Sequence, residues 1–391
     1  MISNGPDVPA CLEHSPVRVV FRSGAVSSLG EEVARLGAKR VLLVTDPGIR
    51  KAGHAGLAEK CLMQRGIECH LFDEVEENPT TDHVDAGLRF LAGKSIDAII
   101  GVGGGSSMDC AKGINLLLTN GGKMADYRGV NHARRALLPM IVVPTTAGTG
   151  SEAQSFALIS DAKTHEKMAC GDRRLPSQGG LRPHAAILDP ALTRTLPRHV
   201  AAVVGIDAIS HAVETSGSTA ADEISRAFSF EAWTRLTDAF PHAVGSDVAE
   251  SHRASMLLGA HLAGAAIEAS MLGAAHACAN PLTARFGITH GIAVGVMLPS
   301  VIRFNTSHKP GAYALLEDDG EVLATRIEAF LRAGDLPLSA AALPVRDAIR
   351  EALPDLARHA ASQWTAGFNP VPVDERACEA MYRMSLDRTE R

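Results

Sequence analysis

The chain has 391 residues, 46% hydrophobic and 21% charged, with a formal charge of −6. That length allows two domains with sizeable cores, and the composition excludes a disordered chain. The mild acidity and the absence of a Lys/Arg block exclude an electrostatic footprint for nucleic acid.

No stretch of about 18 uncharged apolar residues predicts a membrane span, and the polar segment Met1 to Pro16 does not read as a signal peptide. Seven cysteines (Cys11, Cys61, Cys69, Cys110, Cys170, Cys278, Cys378) are scattered without a C-x-x-C pair. They read as reduced thiols of a cytoplasmic enzyme rather than a disulfide framework. Cys278 reads as a small packing residue.

In chain order, Val17 to Phe21 predicts a short strand, followed by a helix over Val26 to Leu36. Arg40-Val-Leu-Leu-Val-Thr-Asp46 is apolar, β-branched and bounded by Gly37 and Pro47-Gly48, as a buried parallel strand should be. A helix (Gly53 to Arg65), a strand (Glu68 to Phe72), a loop holding Asn78-Pro79-Thr80, a helix (Thr81 to Ala92) and a strand (Ile96 to Val102) follow. Strand and helix alternating with short connections predict a doubly wound, Rossmann-like parallel α/β sheet.

The strand ending at Val102 runs into Gly103-Gly104-Gly105-Ser106-Ser107-Met108-Asp109 and a helix continuing through Lys112. Glycines let the backbone approach a ligand, and the N–H groups of the helix start suit an anion. The bland alternative is a glycine turn needed only for strand-to-helix packing, since G-x-G-x-x-G is absent. Met140 to Pro144 predicts another strand, with Thr145-Thr146-Ala-Gly148-Thr149-Gly150-Ser151-Glu152 at its carboxyl end, where α/β sheets place ligand contacts. A Thr/Ser-rich helix cap is the competing reading. A hairpin is expected from Phe156 to Ser160 and Lys167 to Ala169, then a last strand from Ala185 to Leu188.

Beyond Asp189-Pro190 the pattern turns almost wholly helical: Val200 to Glu214, Asp222 to Ala239, Ala249 to Leu272, Gly291 to Phe304, Leu323 to Ala333 and Val345 to Leu353. Residues 1–190 are therefore expected to form the α/β domain and 191–391 an all-α domain. A lone histidine among 16 is more often a surface residue than a ligand. His211 differs, because Asp207 lies one turn before it on an otherwise apolar face; such an i, i+4 pair stands about 6 Å apart at Cβ. His276 and His290 complete a candidate set of one carboxylate and three imidazoles, suited to zinc or iron(II).

Four motifs taken in order, G-G-G-S-x-x-D-x-A-K (Gly103 to Lys112), P-T-T-A-G-T-G-S-E (Pro144 to Glu152), G-I-D-A-I-S-H-A-V-E and H-G-I-A-V-G-V-M-L-P (His290 to Pro299), resemble the iron-containing (group III) alcohol dehydrogenases. The resemblance runs from about Val17 to Asn305. It implies a dinucleotide-binding α/β domain followed by a helical metal-binding domain, an architecture shared with glycerol dehydrogenases and dehydroquinate synthase. It implies that Asp207, His211, His276 and His290 bind one divalent metal, iron before zinc. The cofactor pyrophosphate would rest on Gly103, Gly104, Gly105 and Ser106 with Asp109 nearby. Thr145, Thr146 and Thr149 would line the nicotinamide, and Lys167 would reach its ribose. Asn78 and Thr80 would lie at the adenine end. Asp46 would meet the adenosine ribose, and a carboxylate there favours NAD over NADP.

The implied reaction is hydride transfer between nicotinamide and a small alcohol or carbonyl held at the metal, in a homodimer. One departure stands out. Family members that reduce small aldehydes carry a second histidine four residues after the first of the late pair; here that position is Asn280. An amide has no accessible titration, so the alcohol proton is expected to leave through cofactor ribose hydroxyls, water or His165. Two alternatives remain open: reduction of an acidic oxo-substrate such as maleylacetate, with Lys167, Arg285 and Arg303 as possible cations, and a cofactor-binding protein with weak or lost catalysis.

Overall fold

The computed structural model describes residues 8–164 and 166–388, so His165, invoked above as a proton route, lies outside the described residues. The chain divides into two compact units, Met1–Leu196 and Pro197–Arg391. The division falls six residues past the expected 190/191 boundary, because Pro190–Thr195 forms a 3₁₀ turn within the first unit.

The first unit runs β1 (Arg18–Phe21), α1 (Leu29–Arg35), β2 (Arg40–Val44), α2 (Pro47–Lys51), α3 (His54–Met63), β3 (Glu68–Phe72), α4 (Thr81–Phe90), β4 (Ala98–Gly103) and α5 (Gly105–Asn120). It continues through β5 (Gly129–Val130), β6 (Met140–Pro144), β7 (Phe156–Ser160), β8 (Lys167–Gly171) and β9 (Ala185–Leu188). Six strands form one sheet in the order β1-β9-β6-β4-β2-β3, every pairing parallel. β2, β4, β6 and β9 are buried almost throughout, which is why they read as unbroken apolar runs rather than alternating ones. Val41, Leu43, Ile100, Val102, Ile141, Val143 and Ile187 form one core with Leu29, Val33 and Leu62 from the covering helices. β7 and β8 pair antiparallel from Phe156 opposite Gly171 to Ser160 opposite Lys167, the expected hairpin; β5 extends this small sheet.

The second unit is helical: α6 (Arg198–Gly217), α7 (Glu223–Ala243), α8 (Glu250–Ser270), α9 (Ala274–Phe286), α10 (His290–His308), α11 (Gly320–Ala333), α12 (Arg346–Glu351), α13 (Leu353–Ala361) and α14 (Glu375–Leu386). α6 buries nearly its whole length from Ala202 on, which leaves it no polar stripe. Among the described residues no single helix is long and apolar enough to cross a membrane. The seven cysteines are free thiols.

Within a region expected to be almost wholly helical, α9, α14 and all but the first residue of α13 fall outside the individual helix ranges expected from the sequence. The miss at α9 has a local cause: Gly273 and Gly287 bracket the segment and Pro281 interrupts it, three residues that ordinarily punctuate helices. Tertiary packing overrides that signal, since Ala274 to Ala279, Pro281 and Leu282 are all buried.

Candidate metal centre and cofactor loops

β4 pairs with β2 on one side and β6 on the other, so the carboxyl ends of these three strands are neighbours. Asp46 follows β2, Gly103 ends β4 and Thr145 follows β6. The three segments are bonded to one another. Asp46 caps α2 by accepting from the Ile49 N–H at 2.9 Å, and its other oxygen accepts from the Ser107 hydroxyl at 3.0 Å. The Thr145 N–H donates to the Gly103 carbonyl at 3.0 Å.

Gly103 has φ of +147°, and a Cβ there would meet Ser107 Oγ at 2.4 Å; a Cβ on Gly105 would meet Thr149 Cγ2 at 2.7 Å. Gly104 is the N-cap of α5, and Thr146 lies just beyond it. Side chains at Gly103 and Gly105 would thus push the turn off its neighbours. The Thr145 hydroxyl is buried and makes no hydrogen bond. Ser106 Oγ accepts from the Asn78 N–H at 3.3 Å, with Asn78 held at φ of +54°, a conformation asparagine tolerates better than most residues. Thr80 caps α4 in a box with His83. Lys167 opens β8 opposite Ser160.

Asp109 and Lys112 join the two loops from beneath. Lys112, fully buried, donates to the Ser151 carbonyl at 2.7 Å, to Ser151 Oγ at 2.8 Å and to the Phe156 carbonyl at 2.9 Å. Asp109 accepts from Ser151 Oγ at 2.6 Å and from the Leu158 N–H at 3.3 Å. Burial pushes the Asp109 carboxyl up, and Lys112, 3.8 Å away, pulls it back. In the sequence Lys112 is only one position of a motif; a lysine between Ala111 and Gly113 on an apolar helix is the available sign of its role.

In the helical unit, Asp207 and His211 project from one face of α6, His276 stands in the first turn of α9 and His290 begins α10. Ligand atoms of Asp207, His276 and His290 all lie within 4.8 Å of one another. Asp207 Oδ1 is 3.4 Å from His211 Nε2, 3.5 Å from His276 Nε2 and 3.9 Å from His290 Nε2. Ligands about 2.1 Å from a tetrahedral ion stand roughly 3.4 Å apart, so these are the edges expected of a coordination shell. The rings of His211 and His276 stack at 5.0 Å.

Asp207 Oδ1 and His276 Nε2 are buried and make no hydrogen bond. Two buried polar atoms left in that state are costly unless something else satisfies them, and a divalent cation does so for both. The donor set fits such an ion. Burial would raise the Asp207 carboxyl, but His211, His276 and His290 outweigh it and hold Asp207 well below the usual carboxylate range. Burial likewise opposes charge on His276, yet Glu214 and Asp207 prevail and its imidazole is pushed up to about 9.

His290 keeps 26% of its side chain exposed, against 4% for His276, so the cluster opens on the His290 side. Asn280 lies one turn beyond His276 on α9, and its amide donates to Gln363 Oε1 at 3.1 Å. Of the cations considered for an acidic substrate, Arg303 is held by Glu321 and Glu328, and Arg285 by Asp355.

The model for the family described as iron-containing alcohol dehydrogenase matches residues 16–190, and that for the C-terminal part of the Fe-containing alcohol dehydrogenase family matches residues 201–386. The chain belongs to the iron-containing alcohol dehydrogenases. Alcohol dehydrogenase 4 of Schizosaccharomyces pombe is 37% identical over 80% of this chain and 72% of its own length. Among solved structures, a 1,3-propanediol oxidoreductase superposes with a TM-score of 0.85 at 30% identity, covering 94% of this chain and 97% of that one. A sulfoacetaldehyde reductase from Bifidobacterium kashiwanohense, in complex with NAD+, gives 0.84 at 26% identity over 96% and 98%. This member of the family is an enzyme, an oxidoreductase of the alcohol–carbonyl pair.

Proposed function

We propose that this alcohol dehydrogenase uses NAD(H) and one iron(II) ion to interconvert a short, uncharged alcohol and its aldehyde, working as a homodimer. The observation that carries the reading is the convergence of Asp207, His211, His276 and His290 around two buried, unsatisfied ligand atoms. A divalent ion bound there supplies a Lewis acid that polarises the substrate oxygen, and the nicotinamide supplies or accepts the hydride.

The chain's own contribution is position. Asp207 offsets part of the ion's charge, and the neutral imidazoles of His211, His276 and His290 leave the ion strongly electrophilic. Gly103 to Ser106 offer backbone N–H groups at the start of α5 to the pyrophosphate. Asp46, tied to Ser107 at the end of β2, is placed to accept from an adenosine ribose hydroxyl and to repel a 2′-phosphate. The unsatisfied Thr145 hydroxyl is free to bond the nicotinamide end. Asn280 has no accessible titration, so this position would not serve as the base that takes the alcohol proton.

Arg285 and Arg303 are committed to carboxylates, which favours a neutral substrate over an acidic oxo-acid. Cofactor oxidation across paired neutral and acidic aldehydes, run with NADH and NADPH, tests this. Turnover of short neutral aldehydes with NADH preferred is expected; a preference for acidic oxo-substrates or for NADPH would contradict it.

A further inference from the structure

The α8–α9 corner behind the metal ligands contains an arrangement that ligand binding alone does not require. α8 and α9 meet at 104°, and Met271 at the corner has φ of +74°, which a non-glycine residue adopts only when its surroundings impose it. The start of α9 is met by two buried side chains. Glu214 Oε1 accepts from the Ala275 N–H at 2.7 Å and faces the His276 N–H at 3.4 Å. Asn369 Oδ1 accepts from the Ala274 N–H at 3.2 Å. Gly273 makes room for both, since a Cβ there would stand 3.1 Å from Asn369 Oδ1 and from Glu214 Oε1. The other Glu214 oxygen, Oε2, is hydrogen-bonded to His276 Nδ1.

One carboxylate, 2% exposed, therefore caps a helix and grips the ring of a metal ligand in the first turn of that helix. It sits on α6 three residues after His211 and seven after Asp207, on the same helix face. Asn369 is itself fixed: it exchanges hydrogen bonds with Asn305 at 2.7 and 3.0 Å, and Asn305 donates to the Tyr313 hydroxyl at 2.7 Å.

We propose that Glu214 is a positioning residue of the metal centre, orienting His276 by its ring nitrogen and its backbone at once, with Asn369 as the second clamp on the start of α9. A carboxylate on Nδ1 keeps the proton there, leaves the Nε2 lone pair for the ion and raises the basicity of the ligand. The backbone bonds fix the ring's origin as well as its direction, so α6 carries two ligands and aims a third. The buried negative charge also offsets the positive end of α9, which would otherwise repel the cation.

The inference rests on the metal-centre reading, and the experiment separates the two. Metal affinity is measured by chelator competition for the full-length wild type, Glu214→Gln and Asn369→Ala, with circular dichroism as the fold control and the cobalt(II) absorption spectrum as a probe of ligand geometry. Failure of the wild type to bind iron, zinc or cobalt would refute the metal centre itself.

With a wild type that binds, Glu214→Gln is expected to keep its circular dichroism, lose about 10- to 100-fold in affinity and shift the cobalt bands. Asn369→Ala, which leaves the His276 ring contact intact, is expected to lose less. A folded Glu214→Gln variant with affinity within about twofold of wild type and an unchanged cobalt spectrum would overturn the proposal. The zinc-loaded wild type gives an independent reading by ¹⁵N resonances of the imidazoles. A His276 protonated on Nδ1 and metal-bound through Nε2 is expected, and the reverse would overturn the proposal without any variant.

Discussion

His276 carries most of the chemistry that single residues can explain here. Its imidazole is pushed up to about 9 from an ordinary 6.5, so near neutrality the metal-free protein holds a proton that a cation must displace. Metal affinity should therefore rise about tenfold per pH unit while one proton is expelled, and level off above about pH 9. Chelator competition at several pH values checks this, and a flat affinity from roughly pH 6 to 8 would contradict it. For the metal-free fold the sign reverses: a raised pKa means that the ion-pair contribution is complete below about 6.5 and is lost as pH rises through about 9.

Asp207 and His211 were legible in the sequence because an i, i+4 polar pair on an apolar helix has few innocent explanations. Glu214 stood in the same motif but drew no role, since a glutamate on a helix is ordinarily solvated. Only its burial and its reach to α9 reveal it. Asn369 offered no sequence sign at all, because its partners come from α9 and α10.

At the level of elements, the doubly wound sheet was readable because buried parallel strands leave unbroken apolar runs, and β3, β6, β7 and β9 fall within the limits expected of them. α9 escaped because Gly273, Pro281 and Gly287 speak locally against the helix that packing enforces. The link between the glycine turn and the threonine loop was also invisible, being made by side chains and not by periodicity. Lys112 and Asp109 clasp the loop after β6 onto α5, and each is expensive to bury without the other. Lys112→Met should lower stability by about 3–5 kcal/mol, because Asp109 then keeps a buried charge without its partner. Denaturant unfolding of the two proteins measures this; an unchanged midpoint would show that the clasp does not hold the loop.

Across the whole molecule, the division of labour follows the two halves of the chain. The α/β unit presents Asp46, the glycine turn and the threonine loop at adjacent strand ends. The helical unit brings Asp207, His211, His276 and His290 together from α6, α9 and α10. The family resemblance covered both halves, but the departure at Asn280 shows where this chain differs from relatives that carry a histidine there. There the amide, a group that cannot titrate near neutral pH, donates to Gln363.

The central claim is that the helical unit holds a divalent metal. Its most direct test is the metal content of protein purified without added metal, for the wild type and for His276→Ala. About one iron per chain in the wild type and none in the variant is the predicted result. A wild type that arrives without metal and takes up neither iron nor zinc would contradict the account at its foundation.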